Sequence, residues 1–357
     1  MSGRRILFIK LSAIGDVIHT LPALRALKTL RPDWTVDWVA ESPAAGLLQG
    51  DPTLETVHIV AKSKRPPWHR LAALREAGRI LRRTGYDAAV DFQGLAKSGW
   101  LARASGAPLR VGFAWPRARE GNFLFTNRRL TPPRDIPHIV DQNRWLLTGL
   151  DIRPDELASV PVRFDLFIPG DARARTETLL NPLCPGGTSF VLLHPGAQRI
   201  VKRWPFPHYA ALARGLLARQ SRPVFLSAHG GEERRFAESL AAAAPGLVLL
   251  PEMPLTDLAA LTSRTSLFIG GDTGPLHIAA ALGVPTVALF GPTEASRNGP
   301  YGTGNTILAT SASCAPCWKR DCGYPLCLGL ITPGEVLAAA LKRLASDTPS
   351  PVAENCP

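Results

Sequence analysis

No run of the 357 residues is apolar for long enough to span a bilayer, and no amino-terminal export signal is present, because Lys10 and Asp16 cut off the apolar Ile6-Leu-Phe-Ile9 that follows Arg4-Arg5. The protein is therefore expected in the cytoplasm, with at most a membrane surface to touch. A dense basic tail, a zinc finger and an aromatic RNP-type strand are also lacking. Lys and Arg outnumber Asp and Glu by 41 to 29, yet without those features the net charge of +12 does not point to sequence-specific nucleic-acid binding. It points to anions gathered over long range, such as nucleotide phosphates or an anionic membrane. No G-x-G-x-x-G follows an apolar strand-like run, which argues against a nucleotide-dependent oxidoreductase. No repeat of fixed period is visible. A disulfide framework is not expected either, since four of the six cysteines (Cys314, Cys317, Cys322, Cys327) lie together, Cys184 and Cys356 stand alone, and the cytoplasm is reducing.

What is present is the composition of a folded protein, 45% apolar and 20% charged, with length enough for two cores. Apolar runs alternate with helical segments: Arg5–Ile9, Thr35–Ala40, Val57–Val60 and Ala88–Phe92 read as strands, and 17–30, 71–81 and 139–150 as helices. Between Gly106 and Asn127 the pattern weakens into Gly, Arg and aromatics, which reads as loops. A Pro- and Gly-rich shift over 165–188 marks a connection around one short helix. The rhythm then restarts, with strands at 190–193, 223–226, 247–250, 266–269 and 286–290, helices at 209–219, 232–243, 255–262 and 278–282, and a last helix at 333–344. Strands alternating with helices predict parallel sheets covered on both faces. The expected domains are 1–165 and 166–345, facing each other across a cleft, with a disordered tail over 346–357.

Four segments carry chemistry. Gly270-Gly-Asp272-Thr273-Gly274-Pro-Leu-His277 reads as strand, tight turn and helix, a place where small residues and unpaired N–H groups admit a phosphate; Asp272 and Thr273 alone would be read as caps. In Lys10-Leu-Ser12-Ala-Ile-Gly-Asp16, Asp16 either caps a helix starting at Val17 or takes a proton from a hydroxyl. The stretch from His194-Pro-Gly196 to Lys202-Arg203 offers a glycine at a strand end, a lysine suited to a diphosphate, and an arginine expected on a solvated face. After His229-Gly-Gly, one of Glu232 and Glu233 can hold ribose hydroxyls, and for Glu233 a purely electrostatic role at the helix start is preferred. The spacing Cys314-x2-Cys317-x4-Cys322-x4-Cys327 could close a tetrahedral zinc site. Metal is not expected, because such sites usually serve mini-domains without a core.

Together, residues 5–345 resemble the ADP-heptose:lipopolysaccharide heptosyltransferases (glycosyltransferase family 9), through Lys10–Leu24, Asp91-Phe-Gln-Gly-Leu-Ala-Lys-Ser98, Lys202-Arg-Trp-Pro205, Gly271–His277 and Phe290-Gly-Pro-Thr293. Asp37-Trp-Val-Ala-Glu41 and Ala118-Arg-Glu120 look most like the branch acting on the Kdo sugar of the inner core. The resemblance implies an α/β GT-B fold of two Rossmann-like domains, an acceptor-binding one and then a donor-binding one. It implies an inverting transfer of heptose from ADP-heptose with no cofactor and no metal, next to the inner face of the cytoplasmic membrane. Asp16 would be the base and Lys202 would stabilise the departing ADP. Gly196, Glu232, Asp272, Thr273, Gly274 and His277 would hold the donor. Lys10, Ser12, His19, Gln93 and Lys97, with Lys62, Lys64, Arg65, Arg117 and Arg119, would face a Kdo–lipid A acceptor. The alternatives are transfer onto the first heptose, or a protein that binds lipid A or another polyanion without turnover.

Overall fold

A computed structural model describes residues 3–61, 67–197, 199–319, 322 and 327–346. The chain divides into two compact units, Met1–Pro169 and Gly170–Pro357.

In the first unit the elements run β1 (Arg5–Ile9), α1 (Ile14–Ile18), α2 (Leu21–Leu30), β2 (Thr35–Glu41), β3 (Thr56–Val60), α3 (Pro67–Thr84), β4 (Ala88–Asp91), α4 (Ala96–Ala104), β5 (Leu109–Phe113), β6 (Arg128–Leu130), α5 (Ile139–Trp145) and α6 (Pro154–Ser159). The six strands form one parallel sheet in the order β3-β2-β1-β4-β5-β6. Ile6 to Ile9 are all buried, as a central parallel strand covered on both faces requires. Leu7, Ile9, Val39 and Ala89 pack with Leu81 of α3 and Leu101 of α4 into one core layer. Arg25 of α2 locks the end of the unit, donating to both carboxylate oxygens of the buried Asp51 at 3.0 and 2.5 Å and to the Phe164 and Asp165 carbonyls.

In the second unit they run α7 (Gly170–Leu180), β7 (Phe190–His194), α8 (Phe206–Arg219), β8 (Val224–Leu226), α9 (Gly231–Ala243), β9 (Val248–Leu249), α10 (Leu255–Thr262), β10 (Thr265–Gly271), α11 (Gly274–Ala281), β11 (Thr286–Phe290), α12 (Ala295–Asn298), β12 (Asn305–Ala309) and α13 (Pro333–Ala345). The sheet order is β12-β11-β10-β7-β8-β9, all parallel, so the topology of the first unit is repeated. Residues alternate between two cores: Val191, Leu193, Leu226 and Ile269 face α8 and α13, while Phe190, Leu192, Phe225 and Phe268 face α10 and α11. The last helix starts on a reciprocal cap, in which the Thr332 amide donates to Glu335 Oε2 at 2.7 Å and the Glu335 amide to Thr332 Oγ1 at 3.3 Å.

Two expectations are corrected. The segment read as loops between Gly106 and Asn127 contains β5; Leu109-Arg-Val-Gly-Phe113 hides its strand character behind an arginine whose guanidinium is satisfied by the Phe125 and Ala107 carbonyls. The first helix begins at Ile14, so Asp16 lies inside its first turn instead of preceding it. Lys62, Lys64, Arg65 and the tail from 347 lie outside the described residues, and no helix among those described is long and apolar enough to cross a membrane.

Candidate active site

In a sheet of this order the chain leaves the two central strands toward opposite faces, and the loops at their carboxyl ends frame a ligand site. Those loops follow β1 and β4 in the first unit, and β7 and β10 in the second. Asp16, Gln93, Lys202 and Asp272 fall on them or at the start of the helices they lead into, whereas Arg117 and Arg119 follow β5 and Glu232 and Glu233 follow β8.

After β1 four successive amides all find acceptors: Lys10 N donates to Val39 O at 3.3 Å, Leu11 N and Ser12 N both donate to Gln93 Oε1 at 3.1 and 3.2 Å, and Ala13 N donates to Asp16 Oδ2 at 3.1 Å. Asp16 is partly exposed, and its carboxylate is oriented by the amide at the start of α1. The Lys10 side chain is turned inward, with Nζ donating to the Phe92 carbonyl at 3.0 Å. His19 is buried as well, edge-on to His138 with ring centroids 5.7 Å apart. Lys97 pairs with Glu41 at 2.7 Å, and Arg117 binds Gln142 and stacks over Phe113. Arg119 is exposed. The structure thus brings Ser12, Asp16 and Gln93 together and places Lys10 and His19 beneath them.

The second unit gathers a tighter group. Lys202 Nζ donates to Asp272 Oδ2 at 2.5 Å and to the Asp272 carbonyl at 3.2 Å. His277 Nε2 lies 3.1 Å from Asp272 Oδ1, and Thr293 Oγ1 donates to Oδ2 at 2.7 Å. Burial alone would raise the pKa of Asp272, but the His277 hydrogen bond and the Lys202 charge hold it well below the usual carboxylate range. Asp272 is therefore an anion over the whole physiological range and a poor proton acceptor. It caps nothing, and neither does Thr273, whose hydroxyl donates to Gly271 O at 3.2 Å. The uncapped first turn of α11 can receive an anion. The paired glycines also meet a packing need: a Cβ at Gly270 would meet the His194 carbonyl at 3.0 Å, and one at Gly271 the Lys202 carbonyl at 3.1 Å. Their small size admits the protein's own backbone.

Two further expectations change. Arg203 is not a solvated residue; it is largely covered, with Nε donating to Ala197 O at 2.8 Å and Nη1 to Glu232 Oε1 at 2.6 Å. Glu232, 64% exposed, is held by that arginine, whereas the Glu233 carboxylate packs against Gly196 and takes the His229 amide at 3.3 Å. Burial pushes Glu233 above the ordinary glutamate pKa. The sequence reading missed Thr293 as a member of the group although its motif was in view, and no local pattern signalled the Arg203–Glu232 pair.

Among the described residues no group of three or more His, Cys, Asp or Glu is arranged to hold a metal ion. Two described residues of the cysteine-rich segment meet the ends of β11 and β12: Trp318 N donates to Pro292 O at 2.9 Å, and Cys327 O accepts Thr310 Oγ1 at 2.5 Å.

Two doubly wound units of one topology, each with polar groups at the carboxyl ends of its central strands, are the architecture of GT-B glycosyltransferases. A family model for glycosyltransferase family 9 (heptosyltransferase) matches residues 74–327. The chain is 34% identical over 325 residues to lipopolysaccharide heptosyltransferase 1 of Pseudomonas aeruginosa, covering 90% of this chain and 88% of that one. It is 31% identical to the protein of the same description from Escherichia coli K12, covering 85% and 92%. Among solved structures it is similar to E. coli heptosyltransferase WaaC with ADP (TM-score 0.76, 25% identity, 95% and 99% covered) and with ADP-2-deoxy-2-fluoro heptose (TM-score 0.75, 26% identity, 95% and 99% covered). The chain belongs to glycosyltransferase family 9, the heptosyltransferases of lipopolysaccharide core biosynthesis.

Proposed function

We propose that this enzyme moves heptose from ADP-L-glycero-D-manno-heptose to the Kdo sugar of the lipopolysaccharide inner core, with inversion and without a metal. The observation that carries this reading is the division of labour between two carboxylates. Asp16 is partly exposed on one amide hydrogen bond, and Asp272 is buried under a lysine, a histidine and a threonine. Asp16 takes the proton of the acceptor hydroxyl as its oxygen attacks the anomeric carbon from the face opposite the diphosphate. The bond from that carbon to the diphosphate oxygen breaks, and ADP carries away the electron pair. Lys202 and the amino-terminal end of α11 meet the growing negative charge, which is the task a divalent cation would otherwise perform. Asp272 accepts hydroxyls of the heptose, with Thr273, Gly274 and His277 beside it. The ribose falls to Glu232 or Glu233, and Gly196 lets the nucleotide approach.

Ser12, Lys97, Arg117 and Arg119 are the acceptor contacts within the described residues, suited to Kdo carboxylates and lipid A phosphates. A net charge of +12 favours work at the anionic inner face of the cytoplasmic membrane, where such an acceptor is anchored. The relatives described as lipopolysaccharide heptosyltransferase 1 support the Kdo acceptor over the first heptose. The test offers ADP-heptose with either Kdo2-lipid A or its singly heptosylated product and follows ADP release. Turnover with the first alone is expected. Turnover only with the second would reassign the acceptor, and acceptor binding indifferent to ADP-heptose would make this a binding protein. Transfer that stops on EDTA treatment of folded protein would overturn the metal-free mechanism.

A further inference from the structure

The fully buried carboxylate of Asp91, at the end of β4, gathers four donors. Its Oδ1 accepts Gln93 N at 2.9 Å and Gly94 N at 3.1 Å; its Oδ2 accepts Ser98 Oγ at 2.9 Å and Asn122 Nδ2 at 2.6 Å. These bonds fix the turn after β4 and present the Gln93 side chain to the neighbouring β1 loop. There its single carbonyl oxygen accepts two consecutive amides, Leu11 N and Ser12 N. The next amide in line, Ala13 N, is the one that orients the Asp16 carboxylate. The backbone on the far side is also tied, since Glu41 N donates to Leu11 O at 2.8 Å and Lys10 Nζ bridges to Phe92 O.

We propose that Gln93 is a positioning residue for the transfer reaction: by binding Leu11 N and Ser12 N it fixes the loop whose next amide aims the Asp16 carboxylate. This rests on the reading of Asp16 as the base, and it gives Gln93 a different role from the direct acceptor contact implied by resemblance. The chemistry of the side chain fits the task. Two convergent N–H groups need an acceptor, which an amide, a carboxylate or a hydroxyl could supply. Only the amide reaches across with a full carbonyl and adds no second negative charge beside a carboxylate that must gain a proton at the right moment.

The experiment compares Gln93→Ala, Gln93→Glu, Asp16→Asn and the double variant Asp16→Asn/Gln93→Ala in steady-state transfer, with thermal unfolding of each as the fold control. For Gln93→Ala, kcat is expected to fall by about 10- to 100-fold, the cost of a misplaced catalytic group, while the acceptor KM stays within about twofold. Gln93→Glu restores the acceptor oxygen and so recovers most of that loss. Its added charge moves the acidic limb of the pH–rate profile to higher pH, a change that loss of stability alone does not produce. In the double variant the Gln93 change costs nothing further, because the group it positions is already gone. A wild-type kcat in Gln93→Ala, a loss confined to the acceptor KM, or a Gln93→Glu no better than alanine would each overturn the proposal. If Gln93→Ala does not fold, the Gln93→Glu profile decides alone: an unmoved acidic limb overturns it. Normal turnover by Asp16→Asn would instead sink the base assignment, so the two failures are distinguishable.

Discussion

The two units share a strand order and a placement of polar loops, but they treat the carboxylate at the switch point in opposite ways. In the first, Asp16 keeps one backbone amide as its partner and stands partly open, and the groups that bind its loop, Gln93 and the Asp91 network, leave that carboxylate to its own loop. In the second, Asp272 sits under Lys202, His277 and Thr293, and its pKa is driven far down. A partly exposed carboxylate aimed by a backbone amide suits a general base. A cationic scaffold makes a carboxylate a permanent anion that can accept hydroxyls and share its lysine with a diphosphate. On the proposed reading one topology supplies two chemistries, and the difference lies in side chains that arrive from other loops.

The largest effect that could break this contrast is on Asp16. Replacement by asparagine keeps an oxygen for the Ala13 amide and removes the basicity, so kcat should fall by roughly 10³-fold while ADP-heptose affinity, measured by titration calorimetry, stays near wild type. Next comes Lys202→Ala. It strips the departing diphosphate of its cation and leaves Asp272 buried without its ion-pair partner, which costs about 3–5 kcal/mol when such a pair loses one member. Donor affinity, turnover and the unfolding midpoint should all drop together; a loss of turnover at unchanged donor affinity would separate Lys202 from the donor.

His194, at the end of β7, sharpens the comparison through pH. It is buried beside Ser227, and desolvation lowers its pKa to about 4 from the ordinary 6.5. The unfolded chain therefore binds more protons than the folded one between those values. The stabilisation is complete above pH 6.5 and is lost as pH falls toward 4, up to about 3 kcal/mol in all. Urea titrations at several pH values should show this slope in wild type and a flatter one in His194→Asn. The smallest effect is that of Thr293→Val, which removes one donor from Asp272 and leaves the lysine and histidine. About 1–2 kcal/mol, seen as a roughly 10-fold weaker donor affinity with kcat little changed, is expected.

Much of the fold was legible because parallel strands buried on both faces are written as short continuous apolar runs, such as Ile6-Leu-Phe-Ile9 and Phe190-Val-Leu-Leu193. Of the edge strands, β3 and β9 were read as well, but β6 and β12 were not. β12, Asn305–Ala309, and β6, Arg128–Leu130, are only partly buried and carry polar residues, so no periodicity marks them. The motifs drew attention to Asp16, Lys202 and Asp272 because each follows a strand. What they could not convey is which groups come from elsewhere in the chain. The motif marks Asp272 for the donor, but not the bond it accepts from Thr293, 21 residues on. Arg203 looked solvent-facing until Glu232 was found 2.6 Å away. The paired glycines read as a phosphate cradle, and only the neighbouring carbonyls of His194 and Lys202 reveal the packing need they also meet.

The most direct test of the contrast between the two carboxylates sets Asp16→Asn beside Asp272→Asn and measures ADP-heptose affinity and ADP release in both. The account predicts that Asp16→Asn binds the donor and fails to turn over, whereas Asp272→Asn loses donor affinity and its residual turnover keeps the wild-type dependence on acceptor concentration. A donor-binding defect in Asp16→Asn together with intact donor binding and lost turnover in Asp272→Asn would contradict it.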